Sequence, residues 1–248
     1  MVGSDVQAWA FFLRGQGYYW TEATTTFTNE LFECTKSWQS DKEMGVDGEV
    51  GPKTYGQAQL HGFDPGFQDD STEEGGTLWP PRPAFPAINT EDRIRLFGQF
   101  AFKPAENPKN PEAIIITDTW AKKNIVSVDI PVLDALDEQM GDDRFAFHTL
   151  CTQQIQDFFK AVDDAGLANR VLSWGGSWAP RFIRGSRTYL SNHAYGTAFD
   201  INVTWNGLKC VPARKGKMGS VRELVPIAHQ FGLYWGGHFT RQDGMHFE

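Results

Sequence analysis

The chain is poor in cysteine, in long apolar runs and in clustered positive charge, and each shortage excludes a class of protein. Only three cysteines occur in 248 residues, Cys34, Cys151 and Cys210. Their spacing does not suit a metal, and an odd number rules out a fully paired disulfide framework. Cys34 and Cys151 fall on apolar helical faces, where a thiol packs as a small hydrophobe, so all three are expected to be unpaired. No apolar stretch approaches the roughly 20 residues that span a bilayer, so membrane insertion is not expected. Residues 8–13 are the only apolar stretch near the N-terminus, with Asp5 before them and no basic segment, so a Sec-type leader is not expected. A formal charge of −8, without a basic stripe, excludes nucleic acid as a partner.

What remains is ordinary for a globular chain: 40% hydrophobic and 22% charged residues, enough for one large domain or two modest ones. Phe27, Leu31, Cys34 and Trp38 recur on one helical face, and Val6, Trp9 and Leu13 on another. Asp47-Gly48 signals a turn, and Gly51-Pro52 opens a third helix with Pro at its favoured first position. Residues 64–89 mix Asp, Glu, Gly and Pro and read as a linker whose Pro-rich half is semi-rigid. Beyond residue 90, the β-branched runs 113–117 and 125–130 suit strands, as do the shorter 171–172 and 201–203. Cys151, Ile155, Phe158, Phe159 and Val162 form a helical face ending near Gly166. Ser220 and Glu223 make a capping box for a face of Val221, Leu224, Ala228 and Phe231, in which Pro226 sits badly. The expected architecture is an α+β domain, a small antiparallel sheet with helices, preceded by a small all-α three-helix domain.

The string Trp38-Gln39, followed by Val46-Asp47-Gly48-Glu49-Val50-Gly51-Pro52-Lys53-Thr54, resembles the three-helix peptidoglycan-binding domain. That resemblance implies a wall-binding domain at 1–63, and the linker at 64–89 then sets off 90–248 as a second domain.

Two C-terminal segments carry the chemistry: residues 191–200, Ser-Asn-His-Ala-Tyr-Gly-Thr-Ala-Phe-Asp, and residues 235–247 with His238, Asp243 and His246. They offer two imidazoles and a carboxylate, an open N/O donor set of the kind a catalytic zinc takes, with a fourth position for water. No cysteine is placed to close a structural shell. Asp243, near His246 in sequence, could serve as general base. By spacing alone, such a set is a weak signal.

The motif Ser-x-His-x-x-Gly-x-Ala-x-Asp, with Asp-x-x-His downstream, resembles the zinc peptidases grouped with VanY-type D-alanyl-D-alanine carboxypeptidases and phage L-alanyl-D-glutamate endolysins. Trp174-Gly175-Gly176, residues 180–185 and Trp205-Asn206 extend the likeness. The resemblance implies zinc ligands at His193, Asp200 and His246, and a catalytic carboxylate at Asp243. It also implies an arginine that stabilises the substrate carbonyl or carboxylate, Arg181 or its rival Arg184. VanX-like dipeptidases and their carboxypeptidase relatives have Glu where this chain has Asp243, which aligns it with the endolysin branch.

The expected function is zinc-dependent hydrolysis of the peptidoglycan stem peptide at L-alanyl-D-glutamate. The alternatives are a D-Ala-D-Ala carboxypeptidase or an inactive zinc- or wall-binding module. His238 is a substrate-contact candidate, while His61, His148 and His229 read as structural. Trp174, Trp178, Trp205 and Trp235 suit either a glycopeptide groove or the core. The chain is expected to work as a monomer, made in the cytoplasm and reaching the wall by holin-type release or dedicated secretion.

Overall fold

A computed structural model of the chain describes residues 3–16, 18, 25–61, 63, 79–107, 110–139 and 145–248. It divides into two compact units. One comprises Met1–Arg82, Asn202–Val225 and Gly236–Met245, and the other Pro83–Ile201, Pro226–Trp235 and His246–Glu248. Segments 202–225 and 236–245, assigned by sequence to the C-terminal domain, thus group with the N-terminal helices.

The first unit contains helices Ser4–Gly15, Asn29–Asp41 and Pro52–Leu60. Their apolar faces share a core with Trp9, Leu13, Leu31, Cys34, Trp38 and Ala58 fully or almost fully buried. Trp9 and Trp38 meet edge to face at 5.6 Å, and the Trp9 indole N–H donates to Thr35 Oγ1 at 2.9 Å. Each large ring so buried contributes roughly 1.5–3 kcal/mol. The Gln-Asp-Gly-Thr signature is legible here as a hydrogen-bond network that holds the second interhelical loop. Gln39 Nε2 donates to Asp47 Oδ1 (2.7 Å), Glu49 O (3.0 Å) and Thr54 Oγ1 (3.1 Å), and Gln39 Oε1 accepts from the Gly48 N–H at 2.8 Å. Gly48 has φ +74°, and a Cβ there would lie 2.3 Å from the Phe32 ring, so only glycine fits. Gln16 Nε2 also donates to Thr204 O at 2.9 Å, tying the first helix to the turn Val203–Asn206.

Of the expected linker, residues 64–78 lie outside the described residues. Trp79 and Pro80 are buried. The Arg222 guanidinium lies 4.5 Å from the Trp79 ring centroid. Composition alone gave this end of the linker nothing to pack, but one large aromatic among prolines is enough to dock it.

The second unit is helices with small antiparallel sheets. Helix Thr90–Phe97 starts at Asn89, whose side chain caps Asp92 N, and stops at Gly98 (φ +80°). Strands Phe102–Pro104 and Ile114–Ile116 pair antiparallel, as do Ile125–Ser127 and Ala146–His148. The third sheet orders Trp174–Gly176, Phe199–Ile201 and His246–Phe247, with Phe199–Ile201 central. Helix Thr152–Asp164 buries Ile155, Phe158, Phe159 and Val162, and Phe158 approaches Phe199 and Phe247 at 5.8 and 6.3 Å.

Three local expectations are corrected. Residues 171–172 form no strand, and that strand lies at Trp174–Gly176 instead. The strand at 201 ends there, because Asn202 takes left-handed φ +52° and leads into the helical turn Val203–Asn206. The helix expected behind Ser220 begins only at Val225, which places Pro226 in its first turn, where a missing N–H does no harm. Ser220 Oγ and Glu223 Oε2 nevertheless pair at 2.6 Å. Phe147-His148 lies in strand Ala146–His148, and the short 3-10 turn Thr149–Cys151 follows it.

All three thiols are buried and none forms a disulfide. Burial pushes the Cys151 thiol up to about 11 and that of Cys210 up to about 12, the latter against the opposing pull of Arg14. Among the described residues no helix is long and apolar enough to cross a membrane.

Candidate metal centre

Alternation along the third sheet builds one wall of the site. Neighbouring strand residues face opposite ways, and Phe199 pairs with Phe247 while Asp200 pairs with His246. The rings of Trp174, Phe199 and Phe247 stack in series at 5.6 and 5.3 Å, each pair 7° from parallel, on the core side. Asp200 and His246 are thereby delivered side by side to the other face.

His193 comes from a tight turn, Asn192–Tyr195, that the motif encodes residue by residue. Ser191 Oγ accepts from His193 N at 3.3 Å and caps the turn. Gly196 ends it at φ +66°, and a Cβ there would lie 2.8 Å from Ile125 Cδ1 and 2.9 Å from the His148 backbone N. That close approach lets His148 N donate to Gly196 O at 2.8 Å. Ala198 is 1% exposed, with no room for a larger side chain to enter without displacing its neighbours.

The three donor atoms converge. His193 Nε2 lies 3.2 Å from Asp200 Oδ1 and 3.1 Å from His246 Nδ1, and His246 Nδ1 lies 3.1 Å from Asp200 Oδ1. Ligands about 2.0–2.1 Å from a tetrahedral zinc are roughly 3.3 Å apart, so this triangle has the right size to close on such an ion. All three residues are buried, and they form a group that could hold a metal ion.

Outer partners fix both rings. His193 Nδ1 donates to Ser177 O at 2.6 Å, which leaves Nε2 as the lone pair facing the centre. His246 Nε2 donates to Glu248 Oε2 at 3.0 Å, which leaves Nδ1 facing it. Glu248 also accepts from Asn192 Nδ2, and Asn192 Oδ1 accepts from Arg93 Nη1 at 2.6 Å. Tyr234 and Glu248 exchange backbone hydrogen bonds at 2.7 and 3.0 Å, which pins the chain end that bears the carboxylate.

The charge balance explains what the centre needs. Burial alone would raise the Asp200 carboxyl, but His193 and His246 beside it hold it well below the usual carboxylate range. Burial alone would lower His246, but hydrogen bonds to Asp200 and Glu248 push it up to about 10. Two converging lone pairs and a buried carboxylate therefore demand a positive charge. A proton shared at His246 would meet that need, and a divalent cation would meet it by displacing the proton.

Other expected site residues fall as follows. Arg181 is half-buried beside the His193 turn, where its carbonyl accepts from Ser191 N at 3.0 Å and Ala179 N donates to His193 O at 3.0 Å. Arg184 is exposed and ion-paired to Glu112 at 2.9 Å, with Asn110 Oδ1 at 2.7 Å. His238 and Asp243 belong to the first unit. His238 is buried, its Nε2 bonded to Pro80 O at 2.8 Å, and its carbonyl accepts from Arg82 Nη1 at 2.7 Å. Asp243 sits on a loop closed by its own N–H to Gly236 O (2.9 Å), by Lys209 N to Gln242 O (2.7 Å) and by Met245 N to Asn206 O (3.0 Å). Trp174 and Trp235 prove to be packing residues. Sequence reasoning passed over Ser177, Arg93, Asn192 and Glu248. Only Glu248 carried a signal, as a carboxylate two residues beyond a ligand.

Residues 184–248 match the model of a peptidase family described as D-alanyl-D-alanine carboxypeptidase. The match covers about a quarter of the chain and includes His193, Asp200, Asp243 and His246, while Arg181 lies just outside it. It supports a peptidase at family level. Neither a curated protein nor a solved structure matches the chain.

Proposed function

We propose that the protein is a zinc-dependent peptidase that cleaves the stem peptide of peptidoglycan. The observation that carries this reading is the buried His193–Asp200–His246 triangle, with every imidazole tautomer set by an outer partner. His193, Asp200 and His246 would hold a divalent ion there, which would bring Lewis acidity toward the scissile carbonyl and a lowered pKa for the attacking water. Asp243 is assigned as general base, taking the water's proton and returning it to the leaving amine. Arg181, whose Nη1 donates to Phe182 O at 3.3 Å, is assigned to the carbonyl oxygen on its match to the motif ahead of the first ligand, with Arg184, ion-paired to Glu112, as its rival. The family's carboxylate at the position of Asp243 divides between Asp and Glu, and Asp favours L-alanyl-D-glutamate as the bond cut. A D-Ala-D-Ala carboxypeptidase is the second reading, favoured by the description of the matching family.

We further assign residues 1–63 to wall binding, supported by the Gln39–Asp47–Thr54 signature. Such a module would act by raising local concentration at the wall.

Elemental analysis of the purified protein, followed by mass spectrometry of muropeptides after digestion, tests the whole reading. Near-stoichiometric zinc and a new N-terminus on D-glutamate are expected. Loss of a terminal D-alanine would move the assignment to the second reading. No cleavage of any muropeptide by the zinc-loaded protein would leave a wall-binding module.

A further inference from the structure

Within the first unit one pocket reverses the charge of the molecule. It encloses about 570 Å³, lined chiefly by Trp79, Arg82, Lys209, Phe239, Arg241 and Gln242. Three of these side chains are cationic and none of the described lining residues is acidic, although the chain as a whole carries −8. A recess lined by one sign of charge between apolar walls concentrates counter-ions of the other sign. The volume falls in the range of roughly 300–1,000 Å³ typical of small-ligand sites.

The walls are built rather than incidental. Trp79 is 4% exposed, and the Arg222 guanidinium packed on it is anchored by Nη2 to Pro212 O at 2.7 Å. Arg82 is held through Nη1 by the His238 carbonyl, and the His238 ring is itself held by Pro80 O. Lys209 adopts left-handed φ +67° while its N–H donates to Gln242 O. A lysine is strained there, and such strain gathers at ligand-binding sites.

We propose that this pocket binds a carboxylate of the stem peptide. The inference rests on the peptidase reading and names the substrate group that the first unit recognises. Guanidinium forks pair with carboxylates in two parallel hydrogen bonds, and the half-buried Phe239 offers apolar surface to the adjoining chain. Gln242, on the pocket wall, immediately precedes Asp243, so one loop carries both the recognition surface and the assigned base. Stem peptides bear free carboxylates at D-glutamate and at their C-terminus: both lie on the C-terminal side of the L-alanyl-D-glutamate bond, and they flank the D-Ala-D-Ala bond.

The test is calorimetric binding of a disaccharide-tetrapeptide to the zinc-loaded full chain carrying Asp243→Asn, which suppresses turnover. A second arm uses the same muropeptide with its carboxylates amidated, and a third uses glycerol-phosphate oligomers. Lys209 and Arg241 are exposed, so Lys209→Gln with Arg241→Gln leaves the fold intact. The double variant should bind the free-acid muropeptide about tenfold or more weakly, as expected for losing two charge-assisted contacts. Amidation should weaken binding to the parent equally and have little further effect on the double variant. Unchanged affinity in the double variant overturns the proposal, as does preference for glycerol phosphate over the muropeptide. If the parent chain cuts no muropeptide yet shows this pattern, the pocket stands and only the peptidase reading falls. Normal cleavage with unchanged binding in the double variant sinks the pocket alone.

Discussion

Glu248 is the residue whose removal best probes the proposed metal centre, because it holds His246, one of the three proposed ligands. Its side chain is 7% exposed, and its Oε2 accepts from His246 Nε2 at 3.0 Å and from Asn192 Nδ2. In Glu248→Ala the His246 ring loses the acceptor that keeps its proton on Nε2, so Nδ1 is no longer held as the free lone pair. Asn192 loses a partner as well, while Arg93 still holds its other end. Loss of such an outer partner weakens metal binding by about 10–100-fold, or roughly 1.4–2.7 kcal/mol. Leaving buried donors unsatisfied costs a further 1–3 kcal/mol or so of folding stability. Competition with a zinc-binding dye gives the first quantity and urea unfolding of the metal-free protein the second. Glu248→Gln keeps an acceptor for His246 but drops the charge, so its zinc affinity should fall between parent and alanine variant. Zinc affinity within about twofold of the parent in both variants would refute the claim that this carboxylate sets the ligand.

Three further outcomes are expected. Asp243→Asn should retain zinc while turnover falls by about 10²–10⁴-fold; loss of zinc would make Asp243 a ligand and reopen the assignment of Asp200. Gly196→Ala combines φ +66° with a Cβ 2.9 Å from the His148 backbone, so the midpoint of urea unfolding should drop by the equivalent of about 2 kcal/mol or more and zinc affinity should fall with it. The buried thiols of Cys151 and Cys210, raised to about 11 and 12, should resist a thiol-specific disulfide reagent at pH 8 until denaturant is added. Because their folded values lie above the unfolded one, the stability they contribute is complete below about pH 8.5 and should decline as pH rises toward 11–12.

The convergence of His193, Asp200 and His246 was legible because a local motif encodes their local geometry. Ser191 caps the turn, Gly196 supplies its left-handed end, and the alternation Phe199-Asp200-Ile201 sends the carboxylate away from the core. The same holds for Gln39, Asp47, Gly48 and Thr54, whose mutual hydrogen bonds span at most 15 positions. Helix faces at 152–164 and 29–41 followed from periodicity alone.

What the sequence could not show was which distant groups meet. Arg93 reaches Asn192 across 99 positions, and Asn192 reaches Glu248 across 56. Arg184 meets Glu112, 72 positions away, a pairing that no local motif announces. Trp79 looked like part of a solvated linker until Arg222 covered its ring. Propensity, capping and alternation act within a few residues along the chain, so they fix elements and the direction in which side chains point. The partner that holds an imidazole's proton, neutralises an arginine or buries an indole is chosen by packing between elements, and that choice exists only in the folded chain.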